Sequence, residues 1–218
     1  MTLILTTYDR VPEAPRGFVR DIRVRWLLEE LGRPYRVETV PARDRSAAHR
    51  DSQPFHQVPF VRDGDLTLFE SGAILLHLAE DTHLMPRALR PQVQQWLIAA
   101  LNSVETFSTG WLLPKVFERD EAAAARREPR LRQRLAQVQA ALGDRPWLTG
   151  GRFTVADLMM ADVLRLPARH GLLDDLHPLA AYVGRATDRP AFRTAMADHM
   201  AHWRAADDRA ADERTSVG

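Results

Sequence analysis

The chain has 218 residues, 45% hydrophobic and 27% charged, with 11 glycines and 14 prolines spread along it, the profile of a folded globular protein with room for one or two compact domains. Lys and Arg number 30 against 29 Asp and Glu, a net charge of +1, which gives no field for steering toward nucleic acid or an anionic membrane. Cysteine is absent, which excludes disulfides, a Cys-x-x-Cys redox pair, a protein thiolate nucleophile and sulfur-based zinc sites; any thiol chemistry must use a thiol brought in from outside.

In chain order, Thr2 to Thr7 is a short strand rich in Leu and Ile. "MTLILTTYDR" is too short and too lightly flanked for a signal peptide, and no apolar run approaches the roughly 18 residues of a membrane span, so a cytoplasmic protein is expected. From Phe18 to Gly32 the apolar residues Ile22, Trp26, Leu27, Leu28 and Leu31 fall near helical spacing, with Gly32 as the stop. "YRVETV" (Tyr35 to Val40) is a second strand, Arg43 to Ser52 is a short helix or loop, and "PFV" restarts extended structure. Asp63-Gly64 marks a tight hairpin turn between "PFVR" and "DLTLF". Glu70 to Glu80 is helical, and after Pro86 strand signals vanish in favour of alanine-rich helical periods. The two prolines of "MPRALRP" suit a linker, giving an α/β unit over 1–82, a linker over 83–91 and an all-α unit over 92–218. Disorder is expected only in the tail "RAADDRAADERTSVG".

Three features carry more than secondary structure. Pro59 sits where a strand restarts and cannot donate a ladder hydrogen bond, which leaves a break that something else can occupy. Glu70 and Ser71 stand at a helix start, where free amides and the positive dipole end are exposed. Thr154-Val-Ala-Asp157 is a capping box variant with Phe153 and Leu158 as its staple, a folding device and no site. His199 and His202, three apart without a carboxylate pair, are read as a surface pair rather than metal ligands.

"VRWLLEELG" (Val24 to Gly32), "QPFHQVPFV" (Gln53 to Val61), "DGDLTLFESGAIL" (Asp63 to Leu75) and "FTVADLMMADV" (Phe153 to Val163) resemble, in this order, the recurring blocks of the cytosolic glutathione transferase family. The resemblance implies a thioredoxin-like N-terminal domain followed by an all-α helical domain. It implies a cis bond before Pro59, with the main chain of Val58 offered to glutathione as an added strand. Ser71 would hold the γ-glutamyl carboxylate at the helix start, Glu70 the ammonium and Gln57 the glycyl end. His56 departs from the glycine often found at its position. The implied activity is transfer of glutathione, as co-substrate, to small hydrophobic electrophiles in detoxification by a homodimer, with no nucleic-acid or membrane partner.

Such an enzyme lowers the pKa of the glutathione thiol with a hydroxyl donor or a positive field. The window is "TTYDRVPEAPRGFVRDIRVRW", whose inserted loop departs from the family pattern. Tyr8 is the phenol candidate and Thr7 the weaker hydroxyl, while Arg16 and Arg20 could stabilise a thiolate. The alternative reading makes Tyr8 a strand-end core residue and both arginines solvated. Trp111, Leu112, Leu113, Val116 and Phe117 are candidate electrophile contacts from the helical half, although a core role suits most of them. A noncatalytic binding module of the same fold stays open, as does a glutathione-dependent disulfide or peroxide reductase without a cysteine.

Overall fold

The structure, a computed structural model, describes residues 2–43 and 46–216. Strand β1 (Leu3–Tyr8) leads through helix α1 (Asp21–Leu31) to β2 (Tyr35–Val40), and the helical crossover lets β1 and β2 pair in parallel, Leu3 opposite Tyr35. Gly32 ends α1 in the left-handed conformation (φ 58°), its N–H on the Glu29 carbonyl and that of Arg33 on Leu28, the bond pair of a Schellman stop. After the short helix α2 (Ala47–Ser52), β3 (Phe60–Asp63) and β4 (Leu66–Phe69) form the expected hairpin, Asp63 opposite Leu66 and Gly64 at φ 64°. Helix α3 (Ser71–Ala79) follows, and the sheet order is β2-β1-β3-β4 with β3 antiparallel to both neighbours.

Helices α4 (Arg90–Ala99), α5 (Thr106–Leu112), α6 (Glu121–Leu142), α7 (Val155–Arg169) and α8 (His177–Thr187) make up the second unit. The helical periodicity after Pro86 is not carried by α-helix throughout: π-helical turns occupy Ala100–Glu105 and Leu113–Glu118. Trp111 is buried edge-on to His170, while Leu113 and Phe117 are exposed. No helix among the described residues is long and apolar enough to cross a membrane.

The last helix, α9 (Pro190–Ser216), groups with the sheet, because the two compact units divide after Leu78 and after Arg189. The sequence reading had placed it with the other helices over 92–218. The reason is the apolar face of α1: Trp26 is fully buried and meets Phe192 edge-on at 4.7 Å between ring centroids. The expected disorder of the tail is overturned as far as Ser216, where α9 ends, and Val217 and Gly218 lie outside the described residues. Trp203 is fully buried, and the Asp207 carboxylate takes two hydrogen bonds from Arg16. His199 and His202 are likewise no surface pair. His199 is fully buried, and the half-buried ring of His202 donates to the carbonyl of Tyr8 at 2.9 Å; burial pulls its pKa below the ordinary histidine value.

In the second unit Asp157 realises the capping box. Its carboxylate accepts from the Thr154 N–H (2.9 Å) and hydroxyl (2.8 Å), from the Leu148 N–H (2.8 Å) and from the Tyr182 hydroxyl (3.1 Å). Burial first, and then the Asp157 charge, hold the Tyr182 phenol well above its ordinary pKa. The unfolded chain releases that proton near pH 10 and the folded chain does not, so the folded state binds more protons there and stability falls as pH rises past about 10. Thermal melts from pH 8 to 11 should show this decline, and Tyr182→Phe, less stable at neutral pH, should flatten it. An equally steep decline in Tyr182→Phe would assign it to other groups.

Candidate functional site

Strand ends build the site. The β1–β3 ladder closes at Thr6 opposite Phe60, and Phe60 also faces Phe69 at the end of β4. Tyr8, the Val58-Pro59 pair preceding β3, and the Glu70-Ser71 pair following β4 therefore emerge at one end of the sheet. The Val58-Pro59 bond is cis. Arg20, immediately before α1, comes to the same place, and a small cleft is lined by Arg20, Gln57, Val58, Pro59, Glu70 and Ser71.

Ser71 is buried at the first position of α3, and Glu70 is exposed just before it, with its carbonyl accepting the Ile74 N–H at 2.9 Å. The Glu70 main chain is left-handed (φ 70°), a conformation that costs a non-glycine residue about 1–3 kcal/mol. His56, at φ 56°, occupies a second left-handed position, which explains physically why glycine suits that site.

Gln53, to which the sequence assigns no role beyond opening a family block, also lines the cleft. It is buried, and its amide oxygen accepts the N–H groups of Phe55 (2.7 Å) and Gln57 (3.0 Å). Two main-chain donors fix which end of the amide is oxygen. The buried His49 of α2 lies 3.0 Å from the Gln57 carbonyl, so the segment presenting Gln57 and Val58 is held from two sides. A polar side chain just before proline and within reach of amides two and four residues on is a local signal that could have found it. Arg23, the other residue missed, is buried in α1 and donates from Nη1 to the Ser71 hydroxyl at 3.1 Å.

Tyr8, Thr7 and Arg16 do not line this cleft. Tyr8 is half-buried with its carbonyl on His202, and Thr7 is fully buried. Arg16 donates to both Asp207 oxygens, at 2.6 and 2.8 Å, and from Nη2 to the Val11 carbonyl at 3.1 Å. The Asp207 hydrogen bond raises its pKa, and its evident work is to fasten the inserted loop to α9. At the base of that loop the buried Asp21 accepts from Arg25 at 2.7 Å and lies 3.3 Å from His199 Nδ1, while His199 Nε2 accepts the Gly17 N–H at 3.3 Å. Burial alone would push the Asp21 carboxyl up, but the His199 hydrogen bond and the Arg25 charge and hydrogen bond bring it below the ordinary value. Arg20 thus directly precedes a buried, hydrogen-bonded residue, Asp21.

The glutathione S-transferase N-terminal domain matches residues 15–80 and the C-terminal domain matches residues 75–190. Glutathione S-transferase P of Bos taurus is 28% identical over 187 residues, covering 81% of this chain and 87% of its own. Glutathione S-transferase GstA of Escherichia coli O157:H7 is 29% identical over 188 residues, covering 78% and 89%. A Pseudomonas fluorescens glutathione transferase family member, solved with two glutathione bound, superposes with a TM-score of 0.78 at 24% identity over 89% of this chain and 92% of its own. A Phanerochaete chrysosporium glutathione transferase in complex with oxidized glutathione superposes with a TM-score of 0.79 at 18% identity over 92% and 97%. With the C-terminal domain match alone spanning more than half of its residues and the N-terminal match taking in Arg20, the cis-proline turn and the Glu70-Ser71 pair, the chain belongs to the glutathione S-transferase family.

Proposed function

We propose that this chain is a glutathione transferase that binds reduced glutathione in the cleft at the sheet end and directs its sulfur at small hydrophobic electrophiles. The observation that carries the reading is the convergence of Arg20, Gln57, Val58, Glu70 and Ser71, from separate segments, on one cleft. Glu70 complements the ligand's ammonium and Ser71 its γ-glutamyl carboxylate. Val58 offers its main chain to the cysteinyl part and Gln57 its amide to the glycyl end.

The thiol of free glutathione ionises near 8.5. Tyr8, at the same end of the sheet, donates its phenolic proton to the sulfur as a hydrogen bond, and the Arg20 charge favours the thiolate. The thiolate then forms a carbon–sulfur bond, the electrophile's leaving group departs with the electron pair, and the thiol proton passes to water. Arg16 serves this chemistry only by holding the loop. A homodimer is part of the proposal, and light scattering that finds a monomer at micromolar concentration counts against that part.

Calorimetric titration with reduced glutathione, followed by turnover of an activated aryl halide, tests the reading. Tyr8→Phe should leave the glutathione Kd within about twofold and lower turnover at neutral pH by roughly 10- to 100-fold, matching a thiol pKa raised by one to two units. The pH–rate profile should move upward by the same amount. Failure to bind millimolar glutathione overturns the reading; binding without turnover of any electrophile leaves a binding module of this fold.

A further inference from the structure

Ser71 is not alone beneath the cleft. Arg23 lies on α1 directly behind it, 3% exposed, and donates from Nη1 to the Ser71 oxygen at 3.1 Å, while Ser71 itself is 4% exposed. A serine hydroxyl has one proton to give and two lone pairs to receive with. Arginine has only donors and keeps its charge at any ordinary pH, so it always occupies a lone pair and never takes the proton. Among the described residues the Ser71 hydroxyl makes no other hydrogen bond. Its proton is left for whatever enters the cleft that Ser71 lines.

We propose that Arg23 is a positioning residue that fixes Ser71 as a hydrogen-bond donor and places a permanent positive charge one hydroxyl behind it, so that this end of the cleft selects a carboxylate. The selection rests on the glutathione reading above and deepens it. A serine at a helix start could equally accept a bond from a ligand amine or amide; with one lone pair taken by a guanidinium whose charge repels a ligand cation, it turns its proton toward an anion. The free amides of α3 point the same way, since a helix start favours negative charge. Glu70, one residue earlier on the same cleft, supplies the opposite charge. Together they form a receptor for the zwitterionic end of an amino acid, with carboxylate toward Ser71 and ammonium toward Glu70. A burial-only role for Arg23 would support α1 and leave ligand choice untouched.

The test is calorimetric titration of the full chain with glutathione and with 4-aminobutyryl-cysteinylglycine, which lacks only the α-carboxylate of the γ-glutamyl end. R23M, S71A and the double variant are compared with the parent. R23M should weaken glutathione roughly 10-fold, leave the analogue within about twofold, and add nothing in the S71A background, because Arg23 acts through the hydroxyl. If R23M does not fold, R23K takes its place, with a smaller shift confined to glutathione in the same way. Equal losses for both ligands, additivity with S71A, or no loss for glutathione overturns the inference while the glutathione reading stands. A parent chain that binds no glutathione overturns both.

Discussion

Replacing Asp157 by alanine should destabilise the chain by about 3–5 kcal/mol, among the largest effects of any single side-chain truncation in it. Its carboxylate is buried and receives donors from the loop before α7, from the α7 start and from α8, through Leu148, Thr154 and Tyr182. Alanine leaves the Leu148 and Thr154 N–H groups without that acceptor where water does not reach, each orphan costing about 1–3 kcal/mol before relaxation. The Tyr182 hydroxyl keeps only the main-chain carbonyl of residue 157 at 3.3 Å, and the Thr154 hydroxyl only the Thr149 hydroxyl at 3.2 Å. For a chain of this size the melting temperature should drop by roughly 10 °C. Asp157→Asn keeps one acceptor oxygen and should cost about half as much. A calorimetric melt of Asp157→Ala within 2 °C of the parent would show that the box is ornamental.

Glu70→Gly should separate binding from stability. Glycine adopts φ 70° without a Cβ clash, so relief of strain should offset the added freedom of the unfolded chain and leave stability equal or up to about 1 kcal/mol higher. The same change removes the carboxylate proposed to face the ligand's ammonium, and on that proposal glutathione should bind roughly 10-fold more weakly. Ser71→Ala should weaken it by about 10- to 100-fold, the range for a lost hydrogen bond to a charged group, with little change in melting temperature. Calorimetry and thermal melts on both variants decide it. If Glu70→Gly loses stability and keeps its affinity, the left-handed turn is only structural.

Local signals explain what could be read in advance. The hairpin turn at Asp63-Gly64, the Gly32 stop and the strand Tyr35–Val40 are written in neighbouring residues, and Gln57, Val58, Pro59, Glu70 and Ser71, which line one cleft, stand in the family blocks, while Arg20 comes from the loop window outside them. Features set by distant partners were hidden. His199 is buried because Asp21 and Gly17 come to it from the far end of the chain, and Arg16 is taken up by Asp207 for the same kind of reason. Both sides of those pairs look like surface residues when read singly. The π turns at Ala100–Glu105 and Leu113–Glu118 escape a search for a 3.6-residue period, because the widened turns keep the apolar face aligned closely enough.

The grouping of α9 with the sheet makes the first unit discontinuous, with the whole helical unit spliced into it. During synthesis the sheet and α1 emerge first, yet the side chain that covers Trp26 belongs to Phe192. The ribosome must deliver the intervening helices before that apolar face finds its cover, so the helical unit is free to fold first although it is encoded second. Until then α1 waits with its apolar face uncovered, and that interval is when a chaperone or a misplaced neighbour has its opportunity.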